Sequence, residues 1–245
     1  MGKRQQVIVV ETPDQVGGDV GVLARGDGHS ASCPAPSPSC PAPTGHLLKQ
    51  EIAEGESLSL VLLVLPEASD AVIDLPVQVK MGGPNSRFEL HALALATDKQ
   101  RVSVRVDVEH PCPNAQSNQL IRSVAGGESR ITFEGLIKVQ PGAIRTEALQ
   151  TSNNLLLSEQ AKVRTCPQLE IYADDVKCSH GATTGSLDED EQFYMRSRGI
   201  TLEQARLLQL RSFIWPVLEQ IEDEQQRASY DEKISRALEK MFPTL

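Results

Sequence analysis

The sequence predicts a mainly β chain that ends in a small C-terminal α-helical subdomain. Three observations carry this expectation. From Glu56 to Cys178, apolar residues alternate with polar ones or form short apolar runs, the pattern of extended chain whose side chains turn to opposite faces in succession. From Thr201 onward the apolar spacing becomes that of an amphipathic helix. Aromatic residues make up only 4% of the chain, so a core has to be assembled from Val, Leu, Ile and Ala, which suits stacked strands joined by small-residue turns.

Taken in order, Val7–Val10 is a β-branched run and reads as a strand. Gly17–Gly28 is a glycine-rich turn region. Gly26, Gly28 and Ala31 fit a loose G-x-G-x-x-A pattern, but Ser32-Cys33-Pro34 follows where a dinucleotide site needs a helix. Residues 32–43 hold the segment SCPAP twice, and proline at that density favours extended chain without a core, an exposed loop. Cys33 and Cys40 within it lack the second pair that a metal site requires.

Leu58–Leu65, apolar apart from Ser59, reads as a buried strand; a membrane helix needs about 20 apolar residues. Val72–Lys80 and Phe88–Ala96 follow. In Gln100–Glu109, Val102, Val104, Val106 and Val108 alternate with Ser103, Arg105 and Asp107. Arg130–Gln140 puts Ile131, Phe133, Ile137 and Val139 on one face, and Gly135 is expected to bend it. Shorter strands are expected at Ala143–Leu149, Asn154–Ser158, Ala161–Thr165, Leu169–Ala173 and Asp175–Cys178. Short strands with sharp turns suit a solenoid-like coil. Periodicity alone leaves a parallel β-helix and a sandwich both open. Hairpins would call for Asn-Gly or Asp-Gly turns, and the one Asp-Gly, Asp27-Gly28, lies outside the strand-rich region.

At the C-terminal end, Gly199 supplies a turn, and Thr201 with Gln204 forms a capping box for a helix carrying Leu202, Ala205, Leu208 and Leu210. Pro216 should end or kink that helix. Val217, Leu218 and Ile221 offer a second apolar face, Glu222–Arg227 reads as solvated, and Ser229–Asp231 restarts a helix with Ile234, Ala237, Leu238 and Met241 on one stripe. Two or three short helices are expected, and the chain divides into residues 1–55 (strand and Gly/Pro-rich loop), 56–185 (β core) and 186–245 (helices).

Composition narrows the function. A net charge of −9 and the lack of a Lys/Arg cluster exclude a nucleic-acid binder. No apolar stretch spans a membrane, no secretory signal is seen, and five cysteines at irregular spacing do not make a disulfide framework, so a cytoplasmic location with reduced thiols is expected. There is no G-x-x-x-x-G-K-[ST] loop, no G-x-S-x-G elbow and no H-E-x-x-H helix, and the chain reads as non-enzymatic. Asp174, Asp175 and Asp188–Glu191 read as solvated turn carboxylates; sparse aromatics weigh against the alternative of a carbohydrate-active or carbohydrate-binding β-helix. His29, His46, His91 and His110 are scattered, and Trp215, beside Phe213 and Ile214, suits either a core or a partner anchor. One close soft-ligand pair remains, Cys178 and His180. Two residues apart on a strand, they face the same side and are able to meet one ligand, or to be a buried thiol and a hydrogen-bonded ring. Two ligands do not complete a metal site, so others would come from a partner or from distant residues such as Cys166.

Several segments in order carry a family resemblance: RITFEGLIKVQPGA (Arg130–Ala143), LQTSNNLLLSEQA (Leu149–Ala161), PQLEIYADDVKCSHGAT (Pro167–Thr183), the acid-rich turn, and YMRSRGI (Tyr194–Ile200). Over Arg130–Leu245 the chain resembles the C-terminal core of the SufB/SufD family, scaffold subunits of the SUF machinery that assembles iron–sulfur clusters. The resemblance implies a right-handed parallel β-helix, in which Asn153-Asn154 would join a ladder of stacked amides. The SufB branch has a histidine–glutamate pair where this chain has His180-Gly181, and a cysteine in the strand near Ala161, where this chain has no thiol; the chain therefore resembles the SufD branch. It implies that Cys178 and His180 lie near the interface with a SufB-like subunit, where iron or a cluster is held only transiently and no cofactor stably. It further implies that helical residues Leu202, Ala205, Leu208, Phe213 and Trp215 dock a SufC-like ABC ATPase, and that the chain forms a homodimer when its partner is absent. A stand-alone homo-oligomeric scaffold that binds metal through Cys178 and His180 is the remaining alternative.

Overall fold

Alternating chain closes into a coil when every second side chain turns toward a shared interior. The computed structural model describes residues 3–12, 15–17 and 47–241. Among them are β1 (Lys3–Thr12), β2 (Gln15–Gly17), β3 (Leu48–Ile52), β4 (Ser57–Val64), β5 (Val72–Met81), β6 (Arg87–Ala96), β7 (Arg101–His110), β8 (Gln116–Ala125), β9 (Arg130–Val139), β10 (Glu147–Leu156), β11 (Lys162–Ile171) and β12 (Lys177–Gly185), followed by α1 (Glu189–Ser197), α2 (Leu202–Leu218) and α3 (Glu224–Met241). From β3 onward, successive strands alternate between two sheets. One has the order β12-β10-β8-β6-β4-β1-β2 and the other β11-β9-β7-β5-β3. Every pairing is parallel except that of β1 with β2. The result is a parallel β-helix of about five coils.

Ser57 pairs with Arg87, Arg87 with Gln116, Gln116 with Glu147 and Glu147 with Lys177, so one coil takes about 30 residues, within the usual range for solenoid repeats. A column of corner residues marks the same period. Gly55, Asn85, Asn114, Arg145 and Asp175 all have positive φ, and the N–H groups of the first four donate to carbonyls of the next coil, at Pro84, Pro113, Ile144 and Asp175.

The interior between the sheets is apolar at one end and polar at the other. Leu58, Leu60, Leu62 and Val64 of β4 and Phe88, Leu90, Ala92 and Ala94 of β6 are buried there. The matching row is Ser117, Gln119, Ile121 and Ser123 in β8, and Ala148, Gln150, Ser152 and Asn154 in β10. The outer face of the larger sheet is covered as well: Val61, Leu63, Leu93, Leu95 and Val124 pack under Leu210, Ile214, Val217 and Leu218 of α2 and Ile234 and Leu238 of α3. This is why the Leu58–Leu65 run is apolar on both faces. Each such side chain contributes about 1.5–3 kcal/mol by burial.

The structure corrects the strand pattern in places. β8 and β3 were not expected. The inward residues of β8 include Ser117, Gln119 and Ser123, so the apolar alternation that would announce a strand is missing. The expected short segments after Pro141 merge into β10, β11 and β12, of 10, 10 and 9 residues. Gly135 does not bend β9. It lies on the inward row, where an added Cβ would stand 2.4 Å from the side-chain amide of Gln150. The amide ladder is formed by Gln119 and Gln150, whose side chains bond at 2.9 Å. Asn154 instead donates to the Thr183 carbonyl. β1 pairs with β4, so the chain before residue 55 contributes to the coil. The SCPAP segment, Cys33, Cys40, His29 and His46 lie outside the described residues.

The Thr201–Gln204 capping box is formed, and α2 runs through Pro216 to Leu218. Proline removes one bond in the last turn, and the burial of Ile214, Val217 and Leu218 against the sheet outweighs the loss. α3 begins at Glu224 because the Asp223 carboxylate accepts from the N–H groups of Gln225 and Gln226.

Buried histidine makes the fold acid-sensitive. His110 is 0% exposed, with Nε2 3.0 Å from Ser117 Oγ. Burial pushes it from 6.5 down to about 4, and burial also lowers His91, against the opposing charges of Glu89 and Glu219. Between those values the unfolded chain binds a proton that the folded chain does not. Stability is therefore full above about pH 6.5 and falls toward about pH 4, by on the order of 3 kcal/mol for His110. The expected outcome is a urea midpoint that drops between about pH 7 and about pH 4.5, and a clearly shallower drop in His110→Gln. Equal slopes in the two proteins would contradict it.

Candidate functional site

The coil ends in open strand edges. β12 is the last strand of the larger sheet and β11 the last of the smaller. From Ser179 to Gly185 β12 is exposed throughout. After it the chain turns away into α1, whose first turn is capped by the Asp188 carboxylate accepting from the N–H groups of Asp190 and Glu191. The acidic turn is thus a helix start. An exposed strand edge is a template for pairing with another chain.

The alternation carries both predicted site residues on one row. Cys178 pairs with Ala148 and His180 with Gln150. Since Ala148 and Gln150 are buried in the interior, Cys178 and His180 continue the inward row at the uncovered end. Cys178 is half-buried against the cluster of Ile137, Val139, Ala143 and Ala148. Burial pushes its thiol up, with a backbone hydrogen bond at Ala148 acting in the opposite direction. His180 is exposed. Cys166 is not brought to them. It lies on β11 opposite Glu134, on the row that alternates with the inward Phe133 and Gly135, and its Sγ is 3.7 Å from Gln168 Nε2. Among the described residues, no three His, Cys, Asp or Glu side chains stand close enough to hold a metal ion. Cys178 and His180 are therefore a thiol and an imidazole side by side on the inward row, at the end of the coil that no further described strand covers.

The helical residues separate into two groups. Leu208 and Trp215 are each 49% exposed. They lie two turns apart, on the face of α2 turned from the sheet. Ala205 is fully buried, and Leu202 and Phe213 are half-buried. Phe213 is held by Arg122, whose guanidinium lies 4.6 Å from the ring centroid and whose Nη1 donates to the Phe213 carbonyl at 2.9 Å. Ala205 and Phe213 therefore help seat α2, whereas Leu208 and Trp215 face outward. Sequence reasoning missed Phe193 and Tyr194 of α1, 73% and 60% exposed. The signal is two adjacent aromatics in a helix whose other residues, apart from Met195, are charged or polar.

Comparison with known proteins places this geometry. Residues 52–213 match the family described as SUF system FeS cluster assembly, SufBD core domain. The chain is 40% identical over 154 residues to the iron–sulfur cluster assembly protein SufD of Escherichia coli, covering 63% of this chain and 36% of that protein. It is 38% identical over 144 residues to the chloroplastic protein ABCI7 of Arabidopsis thaliana, covering 58% and 30%, and 37% identical over 136 residues to an iron–sulfur cluster assembly SufBD family protein of Synechocystis, covering 56% and 30%. The chain spans about a third of the length of these curated relatives. No described helix is long and apolar enough to cross a membrane.

The burial of Cys178 sets its reactivity. Alkylation requires the thiolate. In a chain whose other cysteines are replaced by serine, the pH–rate curve of Cys178 with iodoacetamide is expected to have its midpoint above the ordinary value of 9.0. A midpoint at or below that value would mean that the thiol is activated in the chain by itself.

Proposed function

The chain belongs to the SufBD core family of the SUF iron–sulfur cluster assembly system, and from that premise we propose that it is a non-catalytic scaffold subunit in cluster assembly. It pairs through its open coil end with a SufB-like subunit and presents its helices to a SufC-like ABC ATPase. The observation that carries this reading is the juxtaposition at β12 of an exposed strand edge with Cys178 and His180 on its inward row.

The chemistry follows from that placement. A partner strand laid along β12 satisfies its free N–H and C=O groups and gives affinity without chemical specialisation. The same contact covers the inward row, so a thiol and an imidazole become the wall of a closed interface. The iron or cluster is cargo. It is held for the duration of assembly by these two donors and by ligands from the partner, and released afterwards. Metal binding displaces the thiol proton, so a thiol that burial holds protonated binds metal more weakly than a free thiolate, which suits cargo that is later released. Leu208 and Trp215, with Phe193 and Tyr194 nearby in sequence on α1, offer the apolar anchors that a partner groove takes up. Without the SufB-like subunit, a second copy of this chain meets the same edge, giving a homodimer.

Co-purification with the SufB-like and SufC-like proteins of the same organism tests the reading. A three-component complex is expected. Cys178→Ala and His180→Ala should keep the complex and lower its cluster content, read by visible absorption, by about tenfold. Leu208→Asp with Trp215→Asp should release the ATPase alone. A complex with unchanged cluster content in both site variants would reduce Cys178 and His180 to structural residues. Failure of the wild-type chain to form a complex would refute the pairing itself.

A further inference from the structure

We propose that Gln150 is a positioning residue for His180: its side-chain oxygen takes the imidazole N–H when a second subunit covers the open end. The inference rests on reading that end as a pairing surface. Gln119, Gln150 and His180 occupy one column in register, on β8, β10 and β12. The two amides are 0% and 1% exposed, and Gln150 Nε2 donates to Gln119 Oε1 at 2.9 Å. That single bond orients the pair, leaving Gln119 Nε2 at one end and Gln150 Oε1 at the other, both buried and without a partner.

The place of the Gln150 amide is set from the facing sheet as well. It lies against Gly135, where an added Cβ would come within 2.4 Å of both terminal atoms. Among the described residues, no donor bonds to its oxygen. On β11 the residue paired with Gly135 is Pro167, which has no N–H. The Ser152 oxygen, next on the inward row of β10, accepts from the Thr165 hydroxyl at 3.1 Å, and no hydrogen bond runs from Ser152 to Gln150 Oε1. The next rung of the column is His180, one strand spacing away, about 4.8 Å. In the chain by itself the ring is exposed, and water serves its N–H. A docked subunit removes that water, and the buried oxygen of Gln150 becomes the available acceptor. Once one ring nitrogen donates there, the tautomer is fixed. The other nitrogen is left as a lone-pair donor toward the interface, where a metal ligand or a proton acceptor is needed.

The test uses the full chain, labelled with ¹⁵N-histidine, in complex with the SufB-like subunit. The His180 signals are assigned by their loss in His180→Ala, and complex formation is scored separately by gel filtration. In the wild-type complex one neutral tautomer is expected to dominate. Gln150→Leu removes the acceptor, and Gly135→Ala displaces the amide without deleting it. Each should shift the tautomer ratio about fivefold toward the other form, the ratio a net hydrogen bond is worth. Gln150→Glu, of the same shape and still an acceptor, should retain the wild-type form. If Gln150→Leu does not fold, Gly135→Ala carries the test. An unchanged ratio in a complex that still forms would overturn the positioning role and leave the pairing intact. No complex with the wild-type chain would overturn the pairing, and this inference with it.

Discussion

The ladder of parallel backbone hydrogen bonds, repeated coil after coil, is the constraint on which the other features depend. Because neighbouring strands pair in register, a residue on the inward row stays above and below other inward residues, and a slip by one residue would turn the row out to solvent. The corners keep the count. Positive φ recurs at Gly55, Asn85, Asn114, Arg145 and Asp175, each turning the chain into the next strand at the same place on the coil. Where the chain between β9 and β10 is longer than that between β7 and β8, the extra residues are taken up at the corner and the ladder continues unbroken. Exposed cross-strand pairs such as Lys80–Glu51, Arg105–Glu134 and Lys177–Glu147 follow the register; at such exposure solvent screens them and they add little to stability.

A ladder leaves unpaired groups at its ends, and the two ends are treated differently. At one end β1 adds to β4 and β2 turns back antiparallel on β1. At the other, β11 and β12 stop with open edges. The interior changes along the same axis. The column Leu60, Leu90, Gln119, Gln150, His180 passes from apolar burial to hydrogen bonding to exposure. Water-excluding residues hold the first coils together. In the last coils the inward row is polar, and its final rung, on β12, lies open. The proposed pairing at this end rests on that gradient.

The helices draw their rigidity from the coil. α2 and α3 bury their apolar stripes on the outer face of the larger sheet. Gln5 of β1 clasps the turn between them, donating to the Gln220 carbonyl and accepting from the Glu222 N–H. Lys233 of α3 pairs with Glu11 of β1, and Arg122 of β8 holds Phe213. Leu208 and Trp215 are thereby presented from a fixed base.

Elements whose signal is local are legible in the amino-acid order alone. The valines of β7, the apolar run of β4, the capping box at Thr201 and the stripe of α3 each announced their structure, and the period of two put Cys178 and His180 on one face. The adjacent aromatics of α1 are equally plain in that order. Which rows face inward, and what lies one rung away, follow from the closed coil. β8 escaped notice because Ser117, Gln119 and Ser123 are buried by the coil and not by their own hydrophobicity. Gly135 looks like a bend in the sequence because the neighbour that requires it, Gln150, comes from the next strand of the facing sheet. Ala205 and Leu208 look alike in the helical pattern, yet one is covered and the other is not. The physical reason is common to all three: periodicity along the chain reports a residue's own face, whereas its partners are set by the closure of a coil about 30 residues long.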